Sequence, residues 1–187
     1  MYPDGYHVHT YPSGSRYEGE WRGGKKEGKG SYKYAGGGEY IGMFFDDKRH
    51  GHGMYKYPDG DVYEGEFRFG RREGRGTYSY FKGEKYDGEW YADKMHGRGK
   101  YTYVTGKVFD GVWRDDRPHG QGKLIDGDRR FDMVYDNGVV TMQKPEGGTE
   151  KAKEEPLFSL GWWQNAFTCQ PVTGCMDGRD TSNQAKS

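Results

Sequence analysis

Apolar and charged residues alternate with period two along most of this chain. Tyr17, Gly19 and Trp21 stand against Glu18 and Glu20, and Gly28, Gly30, Tyr32 and Tyr34 against Lys29, Ser31 and Lys33. Such alternation marks strands with one covered face and one open face. The pattern also recurs. Tyr17-Glu-Gly-Glu-Trp21 is followed by Tyr40-Ile-Gly-Met-Phe44, Tyr63-Glu-Gly-Glu-Phe67, Tyr86-Asp-Gly-Glu-Trp90 and Phe109-Asp-Gly-Val-Trp113, each starting 23 residues after the last. A Gly-x-Gly pair keeps a constant offset, from Gly28 and Gly30 through to Gly120 and Gly122.

Each period therefore reads as two short strands. A polar connection such as Gly24-Lys-Lys-Glu27 separates them, and a turn such as Pro58-Asp-Gly60 or Lys82-Gly83 follows. Links this short permit only antiparallel pairing, so the unit is a β-hairpin. The fold class expected is all-β: an elongated single-layer antiparallel meander of stacked hairpins, with about eleven or twelve strands spanning roughly 50 Å. Glycines such as Gly19, Gly42, Gly65, Gly88 and Gly111 are expected to leave room for a ring from the adjacent strand, making a ladder of Tyr and Trp the core.

The array is read over residues 5–140: a half repeat 5–16, full repeats from 17, 40, 63, 86 and 109, and a degenerate half repeat 131–140 in which Met133 replaces the glycine. The open strand at its start either frays or pairs with another chain, a second copy included. Residues 141–156 lose the period and read as a solvated linker. In the tail 157–187, residues 157–168 form the one dense apolar segment. It is expected to be a short helix that caps the sheet or docks a partner through Trp162 and Trp163, with disorder after it.

Composition narrows this picture. Only 32% of residues are hydrophobic, whereas the chain carries 33 Gly, 17 Tyr, 9 Phe and 5 Trp. With a mean hydropathy of −1.19, order must come from thin layers of aromatic rings. Lys plus Arg and Asp plus Glu balance at 29 each, which gives no argument for a nucleic-acid partner. The only cysteines, Cys169 and Cys175, lie outside the repeats, and neither a leader nor a membrane-spanning run is visible, so a cytoplasmic protein is expected.

Candidate chemistry is sparse. His50, His96 and His119 share a repeat position with Glu27 and Glu73, but equivalent residues of stacked hairpins lie ~9–10 Å apart, too far for one metal ion. The acidic residues recur on the open side of strands, so no catalytic constellation or cofactor is expected. Lys25, Lys26, Lys48, Arg49, Arg71, Arg72, Lys94 and Arg117 follow the first strand of each repeat and would align as a basic ridge, a solvated margin or a stripe for anionic lipid headgroups. Tyr32, Tyr34, Tyr55, Tyr57, Tyr78, Tyr80, Tyr101 and Tyr103 of the second strands are candidates for a partner surface wherever they are not core.

Tyr-x-Gly-x-Trp followed by Gly-x-Gly-x-x-Tyr-x-Tyr at this period resembles the membrane occupation and recognition nexus (MORN) repeat over residues 5–140. The resemblance implies a non-enzymatic scaffold or adaptor for protein partners of the cytoskeleton, such as a myosin adaptor or a component of a ciliary or flagellar axoneme. A lipid-tethering module is the alternative.

Overall fold

The structure is a computed structural model, and it describes residues 3–146. All of them belong to the first of two units into which the chain divides, Met1–Ala152 and Lys153–Ser187. The helix expected at 157–168 and the disorder expected after it fall outside the described residues.

Thirteen strands form one sheet in sequence order, every neighbouring pair antiparallel. They are β1 (Gly5–Thr10), β2 (Arg16–Arg22), β3 (Lys25–Lys33), β4 (Glu39–Phe45), β5 (Lys48–Lys56), β6 (Val62–Arg68), β7 (Arg71–Ser79), β8 (Lys85–Tyr91), β9 (Lys94–Thr102), β10 (Val108–Arg114), β11 (Arg117–Asp126), β12 (Arg129–Asp136) and β13 (Val139–Pro145). The all-β meander expected from the alternation is what forms, with one strand more than expected. β13 occupies residues read as linker from 141 onward, because Asn137-Gly138 makes a two-residue turn, with φ of 48° and 86°, that returns the chain against β12.

The same tight turn, with positive φ at both central residues, joins the two strands of each full repeat, for example at Asp46-Asp47 and Asp115-Asp116. The polar connection read as Gly24 to Glu27 is thus shorter than expected: Lys25 already starts β3. The residues after the turn belong to the sheet and carry its bulge, where Gly19 pairs with Gly30 but Trp21 pairs with Lys26.

Tyr17, Tyr40, Tyr63, Tyr86 and Phe109 are fully buried although the sheet is a single layer. Each ring folds back over its own strand and across the next. A Cβ at Gly30 would stand 2.5 Å from the Tyr17 hydroxyl, and one at Gly19 would meet the same atom. The ring over Gly19 therefore comes from its own strand, not from the adjacent strand as expected. The hydroxyls donate to backbone carbonyls, Tyr17 to Glu20 at 2.9 Å and Tyr63 to Glu66 at 3.0 Å. Burial holds these phenols well above the usual tyrosine pKa, so they remain neutral donors.

These rings meet the next copy edge-on. Tyr17 packs against Phe44 (5.0 Å between centroids), Tyr40 against Phe67 (5.1 Å), Tyr63 against Trp90 (5.2 Å), Tyr86 against Trp113 (5.2 Å) and Phe109 against Tyr135 (5.0 Å). Each T-shaped contact contributes roughly 0.5–1.5 kcal/mol beyond area burial, which compensates for the missing aliphatic core. Met133, buried opposite Gly122, stands where a further ring would lie and closes the ladder.

Candidate functional site

On the same aromatic face, toward the other margin, runs a second ladder built from the paired tyrosines of β3, β5, β7 and β9. Tyr32, Tyr55, Tyr78 and Tyr101 are buried, so half of the candidate partner-binding tyrosines are core. Alternation explains this, since residues two apart share a face and the inner member of each pair sits over the first ladder. Tyr34, Tyr57, Tyr80 and Tyr103 stand just beyond the strand ends and stay half-buried. Tyr11 of the initial half repeat extends their line by one.

The rings of the two rows interleave without a gap. Tyr11 lies 5.7 Å from Tyr32, Tyr32 4.5 Å from Tyr34, Tyr34 5.6 Å from Tyr55, Tyr55 4.4 Å from Tyr57, and the zigzag continues to Tyr103. At the margin, Tyr78 donates its hydroxyl to Asp61 at 2.7 Å, and Asp61 accepts the Phe81 backbone N–H at 2.9 Å, tying one copy to the next.

The basic ridge does not form as expected. Consecutive strand residues face opposite ways, so each dibasic pair is split. Lys25, Lys48, Arg71, Lys94 and Arg117 are exposed on the outer face, while Lys26 is buried and Arg49 and Arg72 are half-buried on the aromatic face. There the three inner cations sit in the slot between the ladders. The Arg72 guanidinium lies 4.3 Å from the Trp90 centroid, and that of Arg49 lies 5.1 Å from Tyr55 and 5.2 Å from Phe67. Lys26 Nζ is 5.4 Å from Tyr32 and 3.5 Å from Asp47. Desolvated cation–ring contacts of this kind contribute up to about 2 kcal/mol. The outer cations are partly neutralised by the following turn, Lys25 by Asp46 and Lys94 by Asp115.

Aspartates at the second turn position clasp neighbouring copies. Asp47 accepts the Lys26 backbone N–H (2.9 Å), Asp93 that of Arg72 (2.9 Å) and Asp116 that of Met95 (2.8 Å). The repeated histidine position acts in a similar way. His50 Nδ1 lies 3.5 Å from the Phe69 N–H and His119 Nδ1 lies 3.4 Å from the Asn137 N–H. Trp162 and Trp163 lie outside the described residues.

The outer face is acidic in most copies, but on β4 it turns apolar, with Ile41, Met43 and Phe45 all exposed. The sequence carries the signal for this in the break of the Glu-x-Glu column at the second copy, where reasoning from the shared residues passes over it.

No curated protein matches the chain. The family model of the MORN repeat matches residues 17–39, 40–62, 63–85, 86–108 and 109–129 in succession, more than half of the sequence. Its boundaries coincide with the hairpin period described above. MORN repeats generally act as protein- or membrane-lipid-binding modules and scaffolds and not as enzymes. With five consecutive copies, each building one hairpin of the sheet, this chain belongs to the MORN repeat family.

Proposed function

We propose that this chain is a non-enzymatic, protein-binding adaptor of the cytoplasmic cytoskeleton, with the ciliary or flagellar axoneme as the first assembly to test. The observation that carries this reading is the unbroken line of half-buried tyrosines at positions 11, 34, 57, 80 and 103. These rings are already held by stacking, so a partner that covers them gains apolar area and hydroxyl contacts at little further entropic cost. Repetition of one ring per hairpin, every ~9–10 Å, suits an extended partner segment better than a small molecule. The split of the dibasic pairs weakens the lipid alternative. It removes Lys26, Arg49 and Arg72 from the outer margin and leaves Lys25 and Lys94 paired with aspartates.

Co-sedimentation of the full chain with detergent-extracted axonemes and cytoskeletons tests this. The chain is expected in the pellet, and Tyr34→Ser/Tyr57→Ser/Tyr80→Ser is expected to move it to the supernatant while the fold survives. Retention of the variant in the pellet, or recovery of the wild type only on phosphoinositide vesicles, overturns the proposal.

A further inference from the structure

Ile41, Met43 and Phe45 of the second repeat copy and Phe69 at the turn of the third are each between 36% and 50% exposed and lie together on the outer face. His50 joins them, 5.4 Å from the Phe45 ring and 5.2 Å from that of Phe69. Nothing in the fold requires apolar residues there. At the positions of Ile41 and Met43 the first, third and fourth copies carry Glu18 and Glu20, Glu64 and Glu66, and Asp87 and Glu89.

The acidic residue at the second of these positions also has a structural task. Glu20, Glu66 and Glu89 accept the backbone N–H of Lys29 (3.1 Å), Arg75 (3.0 Å) and Arg98 (3.2 Å), closing the bulge at the adjoining glycine. Met43 cannot do this for His52, the equivalent residue. Phe69 adds strain. Its φ is 48°, in the left-handed region, at a turn position occupied by Ala or Asp in the next two copies. A bulky ring held there, half exposed, is a local cost without a folding benefit, and such costs gather at functional sites.

Ile41 and Met43 lie in a shallow, open groove that Tyr6, Glu18 and Lys29 also line. The acidic residues around it are engaged. Glu18 pairs with Arg16 at 2.8 Å, Glu20 closes its bulge, and Glu39 holds Lys33 at 3.7 Å. Lys29, Lys48 and Lys56 have no carboxylate within ion-pair distance among the described residues, and Lys48 rests over Phe69 at 6.0 Å. Glu20, Glu27 and Glu66 accept backbone N–H groups, from Lys29, Asp46 and Arg75, whereas the residues directly opposite Met43 and Phe45 on the neighbouring strands are Lys29 and Lys48.

From this we infer that the outer face of the second copy is a docking site for an acidic amphipathic segment of another protein. The segment seats apolar side chains on Ile41, Met43, Phe45 and Phe69 and sets carboxylates against Lys29 and Lys48. A groove along the strands suits an extended chain segment better than a bilayer. The site is on the face opposite the tyrosine line and does not depend on it.

A random peptide library displayed on phage, selected against the full chain, tests the inference. Enriched peptides are expected to combine spaced apolar residues with Asp or Glu. Measured by fluorescence polarisation, their affinity is expected to fall by roughly tenfold or more on Ile41→Glu/Met43→Glu. That variant writes the residues of the first and third copies into the second, so its denaturation midpoint is expected to stay level or rise. Phe69→Asn, which suits the turn better, serves as the second variant with the same expectation on both counts. The inference is overturned by an absence of enrichment, by enriched peptides that lack acids, or by affinities that survive both variants. It is equally overturned if the double substitution instead abolishes binding to phosphatidylserine vesicles or dissociates a dimer in light scattering.

Discussion

Between the two ring ladders the first three copies place Lys26, Arg49 and Arg72, whereas the last two place Met95 and Pro118 in the same slot. All five positions follow the same tight turn and face the same rings. Arg72 and Met95 even share a neighbour, since Arg72 stacks on Trp90, which pairs with Met95 across β8 and β9. The slot thus selects for a side chain that covers aromatic faces. An apolar body and a cation that snorkels from an apolar stem both meet that demand. They differ in what they do to the aspartate beneath. Asp93 has the Arg72 guanidinium at 3.3 Å, but Asp116 faces Met95, and burial pushes its carboxyl above the usual range.

The largest effect is expected from emptying the slot. Arg72→Ala uncovers Trp90 and leaves Asp93 without its partner, and should lower unfolding stability by about 2–4 kcal/mol in urea titration. Arg72→Met, which copies the fourth repeat, should recover most of that loss. If the alanine and methionine variants unfold alike, coverage of the rings is not what the slot provides. Met95→Arg is the converse exchange. It is expected to change stability by less than about 1.5 kcal/mol and to bring the Asp116 carboxyl down, read by NMR titration of its side-chain carbon.

A smaller change is expected from Asp116→Asn, which retains an acceptor for the Met95 N–H. Because the folded pKa of Asp116 is raised, its favourable contribution is present below the unfolded value of about 3.9 and is lost as pH rises through the folded value. The variant should therefore gain on the wild type, by less than about 1 kcal/mol, at neutral pH and match it near pH 3. A gain that persists at acid pH contradicts the burial argument. Smallest of all should be Lys94→Ala, which removes an exposed pair with Asp115. A stability change below about 0.5 kcal/mol, fading further in high salt, is expected.

Residue types and spacing show most of this architecture in the sequence. Tyr-x-Gly-x-Trp at a fixed period specifies a strand on which a ring must lie over bare backbone, and Gly30 and Gly53 report the strand it crosses to. The fate of Lys26 was legible in principle, since it stands at even spacing from Gly28, Gly30 and Tyr32. Reading Lys25 and Lys26 as one basic pair in a loop hid that parity. β13 was missed although Asn137-Gly138 is a strong hairpin signal, because Thr141 to Pro145 lack the aromatic and glycine marks of the repeat. The outer patch was hidden for the opposite reason. Attention to what the copies share draws the eye from Ile41 and Met43, where one copy departs. Both tyrosines of a pair share a face, so alternation alone does not separate the buried inner ring from the half-buried outer one; the place where the strand ends does.

Every strand pairs only with its predecessor and its successor. Contact order is therefore low, and nucleation can start at any hairpin and spread both ways. The same connectivity makes length an adjustable parameter. Deleting residues 63–85 would bring Trp90 to the place Phe67 holds against Tyr40 and leave the ring stack continuous. Such a chain can be shortened or extended one period at a time, like a ruler graduated in hairpins, without redesigning any other part.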